Sequence, residues 1–168
     1  NTRRVTGRIR TGDDEIVLDD ASGAWAALDV GRGKWKYANH WNWASASGPA
    51  GDGRLVGLQF GGKWTEGTGY TENALCIDGR LTKLHDELRW DYEWAHPTRP
   101  WRVRDRAGRV DAVLTPRHDR HSRFTIGVLG MEVHQVFGHW SGTVSPDDGE
   151  PVRFDGILGF AEEARNRW

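Results

Sequence analysis

The chain has 168 residues, 23 Lys and Arg against 24 Asp and Glu, a formal net charge of −1, ten tryptophans and a single cysteine. That length suits one domain burying roughly two-thirds of the surface its unfolded chain exposes, so folding needs neither a disulfide nor a structural metal. Balanced charge without a like-charge run excludes a nucleic-acid arm and an acidic tail, no apolar stretch approaches a membrane span, and lone Cys76 with no signal-peptide pattern fits a reducing, cytoplasmic address.

Turn signals at Gly12-Asp13, Asp52-Gly53, Asp78-Gly79, Ala107-Gly108 and Asp148-Gly149 cut the chain into short alternating runs. This is the pattern of an all-β sandwich or barrel. Strands are predicted near 3–10 and 15–19, and after a small, Ala-rich helical turn at 21–28, near 37–47 and 54–61. Asp78-Gly79 suits a type I′ hairpin, which needs positive φ at both central residues, and joins 72–77 to 80–84. Cys76, inside the apolar run Ala74 to Ile77, reads as a small buried hydrophobe.

From Leu88 to Trp94 the apolar residues 88, 90, 92 and 94 alternate with charged ones. One aromatic face then meets a core and one ionic face meets water. Trp41 with Trp43, Trp101 with Val103, and Val152 with Phe154 repeat the pattern. Further strands are predicted at 86–94, 101–105, 109–114, 123–129, 132–145 and 151–158, with Pro97, Pro100 and Pro116 in loops. Residues 161–168 read as a terminal helical turn whose Trp168 packs back on the body. Ten or so antiparallel segments suffice to close a barrel and remove its edges.

Several segments occur together in chain order. They are Trp41-Asn42-Trp43-Ala44, Asp52-Gly53-Arg54-Leu55-Val56-Gly57-Leu58, Thr71-Glu72-Asn73-Ala74 and Leu81-Thr82-Lys83-Leu84. Pro100-Trp101-Arg102-Val103, Thr115-Pro116-Arg117, Gln135-Val136-Phe137-Gly138, Ser141-Gly142, Asp147-Asp148-Gly149 and the stretch from Glu162-Glu163 to Arg167-Trp168 follow. Over nearly all of the chain from Trp35 onward, this string resembles the bacterial family known as domain of unknown function 2804. The resemblance implies an all-β, lipocalin-like antiparallel barrel of eight to ten strands, related to the superfamily of AttH-type proteins and carotenoid 1,2-hydratase (hydroxyneurosporene synthase). Members of the family typically carry two consecutive lipocalin-like halves. With Asn1 in place of a methionine, the expectation is one barrel domain over 1–168, the C-terminal half of a two-barrel protein whose N-terminal half is its partner.

Trp41 and Trp43, on one strand face with Asn39 and Ser45, would wall a pocket for an elongated apolar ligand or else fill the barrel. Trp101 is a further aromatic candidate for that wall. Gln135 is preferred over its neighbour His134 as an inward polar contact, because successive strand residues face opposite ways. Glu72 and Asn73 follow a glycine-rich stretch; an inward Glu72 would have a raised pKa and serve as general acid in hydrating an alkene, with Asn73 orienting water. The alternative is that both residues tie loop backbone at the barrel mouth. That stretch has Gly62-Lys63-Trp64 where a phosphate loop has Gly-Lys-Ser/Thr, so no nucleotide is expected.

His118, Asp119 and His121 read as a polar loop and not a metal site: no further ligands sit at fixed spacing, and Arg117, Arg120 and Arg123 oppose a cation. No Gly-x-Ser-x-Gly elbow supports a hydrolase. The expected function is cofactor-free, metal-free binding of an apolar or amphipathic small molecule (terpenoid, polyketide or lipid) in a Trp-lined barrel. A hydratase-type enzyme using Glu72 and a scaffold with a filled barrel are the alternatives.

Overall fold

The computed structural model describes residues 2–168, and the chain divides between Gly33 and Lys34 into two units. In the first unit, β1 (Thr2–Arg4) pairs antiparallel with β4 (Trp25–Ala27), and β2 (Gly7–Thr11) with β3 (Asp14–Leu18) forms a hairpin. Arg8 and Arg10 of that hairpin both reach Glu15 across the strands. The stretch 21–28, expected to be helical, is a turn followed by β4.

The second unit is one antiparallel sheet of nine strands. These are β5 (Ala38–Pro49), β6 (Leu55–Gly62), β7 (Ala74–Ile77), β8 (Arg80–Lys83), β9 (Arg89–Asp91), β10 (Trp101–Arg104), β11 (Val110–Ile126), β12 (Leu129–Val144) and β13 (Val152–Arg167). Their order, β8-β7-β6-β5-β13-β12-β11-β10-β9, places the last strand in the middle. The sheet curls into a half-barrel. The all-β, lipocalin-like expectation holds, although no ladder joins β8 to β9 among the described residues. Asp78 and Gly79 make the expected turn, with φ of 48° and 81°.

Local reading fails at the C-terminus. Residues 161–167 are strand, paired to β12 on one side and β5 on the other. Two complete ladders outweigh the modest helix preference of Ala, Glu and Arg, which tertiary context readily overrides. Trp168 does fold back, donating its indole N–H to the Lys36 carbonyl at 3.0 Å. Pro116 does not mark a loop: it lies inside β11, where the register slips between Pro116 and His118. Such a bulge is where a ladder tolerates a residue with no N–H. Gly138 faces it, and a Cβ there would sit 2.2 Å from the Thr115 carbonyl oxygen. The predicted strands 109–114 and 123–129 are therefore one, and the expected polar loop at 118–121 is strand.

Trp101, Trp140, Phe60, Leu75, Val136 and Phe154 are fully buried and fill the concave face. Cys76, between the core residues Leu75 and Ile77, is only partly buried. Among the described residues no helix is long and apolar enough to cross a membrane.

Candidate functional site

The strands at the centre of the sheet, β5, β11, β12 and β13, run 12, 17, 16 and 16 residues, while the flanking strands have three to eight. Their far ends therefore project past the core, and the register shows where the inner face changes character. Asp119, Val136, Ala161, Ala44 and Phe60 are cross-strand neighbours in a largely apolar row. Two residues further along each strand, the same face presents His121, His134, Glu163, Asn42 and Gly62. The next row holds Arg123, Glu132, Arg165 and His40.

Glu163 is the centre of this belt, with 1 % of its side chain exposed. It accepts hydrogen bonds from the Tyr92 hydroxyl and the His40 ring, from Arg165 Nε at 2.8 Å, and from the Lys63 ammonium at 3.1 Å. Burial pushes its pKa up, but the bonds from Tyr92, Arg165, His40 and Lys63 outweigh that and bring it down to about 2. Tyr92 is shifted the other way: burial, then its bond to the Glu163 carboxylate, disfavours the phenolate. Lys63 also donates to the Tyr92 oxygen at 2.5 Å, and burial pushes its ammonium pKa down against the pull of Glu163. Lys63 has φ of 69°, a left-handed backbone costly for a residue with a Cβ.

The chain between β9 and β10 closes one side of the belt. Tyr92 stacks flat on Trp101, centroids 3.9 Å apart at 5°. Trp94 stands edge-on to His134 at 4.5 Å, and the Arg165 guanidinium lies 3.8 Å above its ring. Beside them lies an open groove of ≈ 460 Å³, with Leu88, Trp90 and Trp94 as its apolar wall and Lys63, Glu66, Arg89, Glu163 and Arg165 as its charged wall. A wider hollow of ≈ 690 Å³ lies beyond it, between the β11–β12 hairpin and the ends of β5 and β13.

The residues singled out from sequence fall elsewhere. Trp41 and Trp43 alternate with core-facing Asn42 and Ala44, so they project from the opposite face of the sheet. There Trp41 shares a partner with Gln135: Trp41 Nε1 and Gln135 Nε2 each donate to Glu162 at 2.9 Å, while Trp43 Nε1 donates to Gln59 at 3.2 Å. Gln135 thus faces away from the core, and His134 takes the inward place expected for it. Trp101 is core, its indole N–H bonded to the Pro97 carbonyl at 2.8 Å. Asn73 accepts from the Gly61 N–H at 2.7 Å and donates to the Asp86 carbonyl at 3.1 Å, tying loop backbone. Glu72 is exposed and accepts from Trp64 Nε1 at 3.1 Å, so it lacks the apolar surroundings a general acid needs.

His40, Lys63, Tyr92, Trp94, Glu163 and Arg165 escaped sequence reading. Tyr92 and Trp94 stood in the plainest alternating run, and Glu163 in a family-like segment, but nothing local set any of them beside Lys63. The family described as a domain of unknown function (DUF2804) matches residues 1–168, and the chain belongs to it. No curated protein and no solved structure matches the chain.

Proposed function

We propose that this member of the family binds an amphipathic small molecule with an anionic head in the groove at the mouth of its half-barrel. The observation that carries the reading is the pairing of two walls in one groove. Trp90, Trp94 and Leu88 offer apolar area, while the same lining carries three cations, Lys63, Arg89 and Arg165, against the two carboxylates of Glu66 and Glu163. One positive charge is left in surplus beside desolvated surface, where an anionic head is favoured over a neutral one. Lipids, terpenoids and polyketides ending in a carboxylate fit this chemistry, and the unpaired Cys76 suits a reducing, cytoplasmic setting.

The hydratase reading goes with kinship to AttH and carotenoid 1,2-hydratase, and it receives less support. Glu72 is exposed, and Glu163, held ionised to about 2, is a poor proton donor near neutrality. The scaffold reading has one observation in its favour: the concave face is filled by Trp101, Trp140 and Phe60.

Titration with a twelve-carbon alkyl carboxylate and the matching alcohol, read by tryptophan fluorescence, tests the proposal. The carboxylate is expected to bind more tightly, and Lys63→Met or Arg165→Met to weaken it about tenfold, ~1.4 kcal/mol, while leaving the alcohol unchanged. Failure of both compounds to bind the folded chain would move the assignment to a scaffold.

A further inference from the structure

We infer that His121, Glu132 and His134 form a binding site for a divalent transition-metal ion of the zinc type. The three residues come from two neighbouring strands, and one ligand atom from each lies within 4.8 Å of the others. His121 and His134 are direct cross-strand partners on the inner face, and Glu132 lies two residues before His134 on that same face. Their approach is ordered. The two imidazole rings stack at 4.2 Å and 4°, and His121 Nε2 is 3.1 Å from Glu132 Oε1. Ligand atoms each about 2.0–2.1 Å from a tetrahedral zinc are about 3.3 Å apart, so this pair already stands near a coordination edge.

The second feature is the support behind His134. Its Nδ1 is bonded to Asp119 Oδ2 at 2.7 Å, and its ring is held edge-on by Trp94. A carboxylate on one ring nitrogen fixes the tautomer and leaves Nε2 as a lone-pair donor, the arrangement that orients metal-ligating histidines. Asp119 spends no bond on its other oxygen, Oδ1, which is buried without a partner among the described residues. His134 is buried, whereas the side chains of His121 and Glu132 are 43 % and 28 % exposed. One rigid ligand and two adjustable ones can close the remaining distance by χ rotation.

Two nitrogens and one carboxylate oxygen suit zinc, cobalt or nickel better than magnesium or calcium, which prefer oxygen ligands throughout. Three protein ligands leave a position open to water or to a bound molecule. The arginines near the site do not close it. Arg165 is engaged by Glu163 and Trp94, and Arg123, across from Glu132, is exposed to water. The site is independent of the proposed ligand: metal binding is read on the chain alone.

Cobalt(II) titration of the whole chain provides the test, since four- or five-coordinate Co²⁺ held by nitrogen and oxygen ligands absorbs visible light far more strongly than the hexaaqua ion, and those intense bands are the ones read. One equivalent of Co²⁺ should develop those bands and one equivalent of Zn²⁺ should abolish them. His121→Ala and Glu132→Gln change side chains that carry little packing and should remove the bands; Asp119→Asn should weaken affinity about 10- to 100-fold. His118→Ala, on the opposite face of β11, should leave the titration unchanged. Absence of bands in the parent chain overturns the assignment. So do bands that survive in His121→Ala or Glu132→Gln, or that vanish in His118→Ala, with far-UV circular dichroism showing every variant folded.

Discussion

The Tyr92 hydroxyl donates to the buried carboxylate of Glu163 from 71 residues away in the chain. That bond clamps the segment after β9 onto the central strand of the sheet. Stacked on Trp101, the Tyr92 ring has one edge in the apolar core and its oxygen among charges. It marks the boundary between the part of the half-barrel that holds the fold together and the part open to chemistry.

Acid stability follows from Glu163. A carboxylate whose pKa falls on folding from its ordinary value of 4.5 to about 2 stabilises the fold above that ordinary value. That contribution is lost as pH drops through the folded value. Urea denaturation should therefore show stability declining between about pH 5 and pH 2. Glu163→Gln should flatten that decline and cost about 2–4 kcal/mol at neutral pH, by leaving Lys63 and Arg165 without their carboxylate.

Tyr92→Phe keeps the ring stack and removes one donor to a buried carboxylate. The expected loss is about 1–3 kcal/mol, read as a lower thermal midpoint with unchanged near-ultraviolet circular dichroism from Trp101.

Lys63 sits at φ of 69°, where a Cβ is strained. Lys63→Met and Lys63→Gly both delete the ammonium, but only glycine relieves the backbone. The glycine variant should be the more stable of the two by about 1 kcal/mol in chemical denaturation, with both defective in binding the alkyl carboxylate.

Gly138→Ala would force a methyl against the Thr115 carbonyl and the Pro116 backbone, neither of which is a flexible side-chain end. A loss of about 3 kcal/mol or more is expected, or failure to fold. Gly130→Ala meets nothing closer than 3.7 Å and should change the denaturation midpoint little.

Glu72→Gln should be nearly silent, within about 0.5 kcal/mol in stability and without effect on ligand titration, because Glu72 is exposed. A large loss of binding would return Glu72 to the site.

Strand identity was legible wherever side chains alternate between flanking turns: 37–47, 54–61 and 101–105 lie within about two residues of β5, β6 and β10. The site was much less so. Trp41, Trp43 and Gln135 share one side of the sheet, but that side is turned from the core, while Trp101, expected in the same wall, lies within the core. His121 had no third or fourth ligand within its own segment, because Glu132 and His134 arrive from β12.

Alternation and turn chemistry are local, so an all-β chain and the Asp78-Gly79 hairpin follow from residue order alone, as a lone cysteine leaves no disulfide within the chain. Period two says which residues share a face but not whether that face is inner or outer; the sign comes from pairing between distant strands. Tertiary structure therefore decided that Glu163 points inward and Glu162 outward, and that 161–167 is strand instead of helix. It also decided that Lys63, Tyr92 and Glu163 meet, because their juxtaposition depends on β13 entering between β5 and β12, an arrangement no local segment encodes.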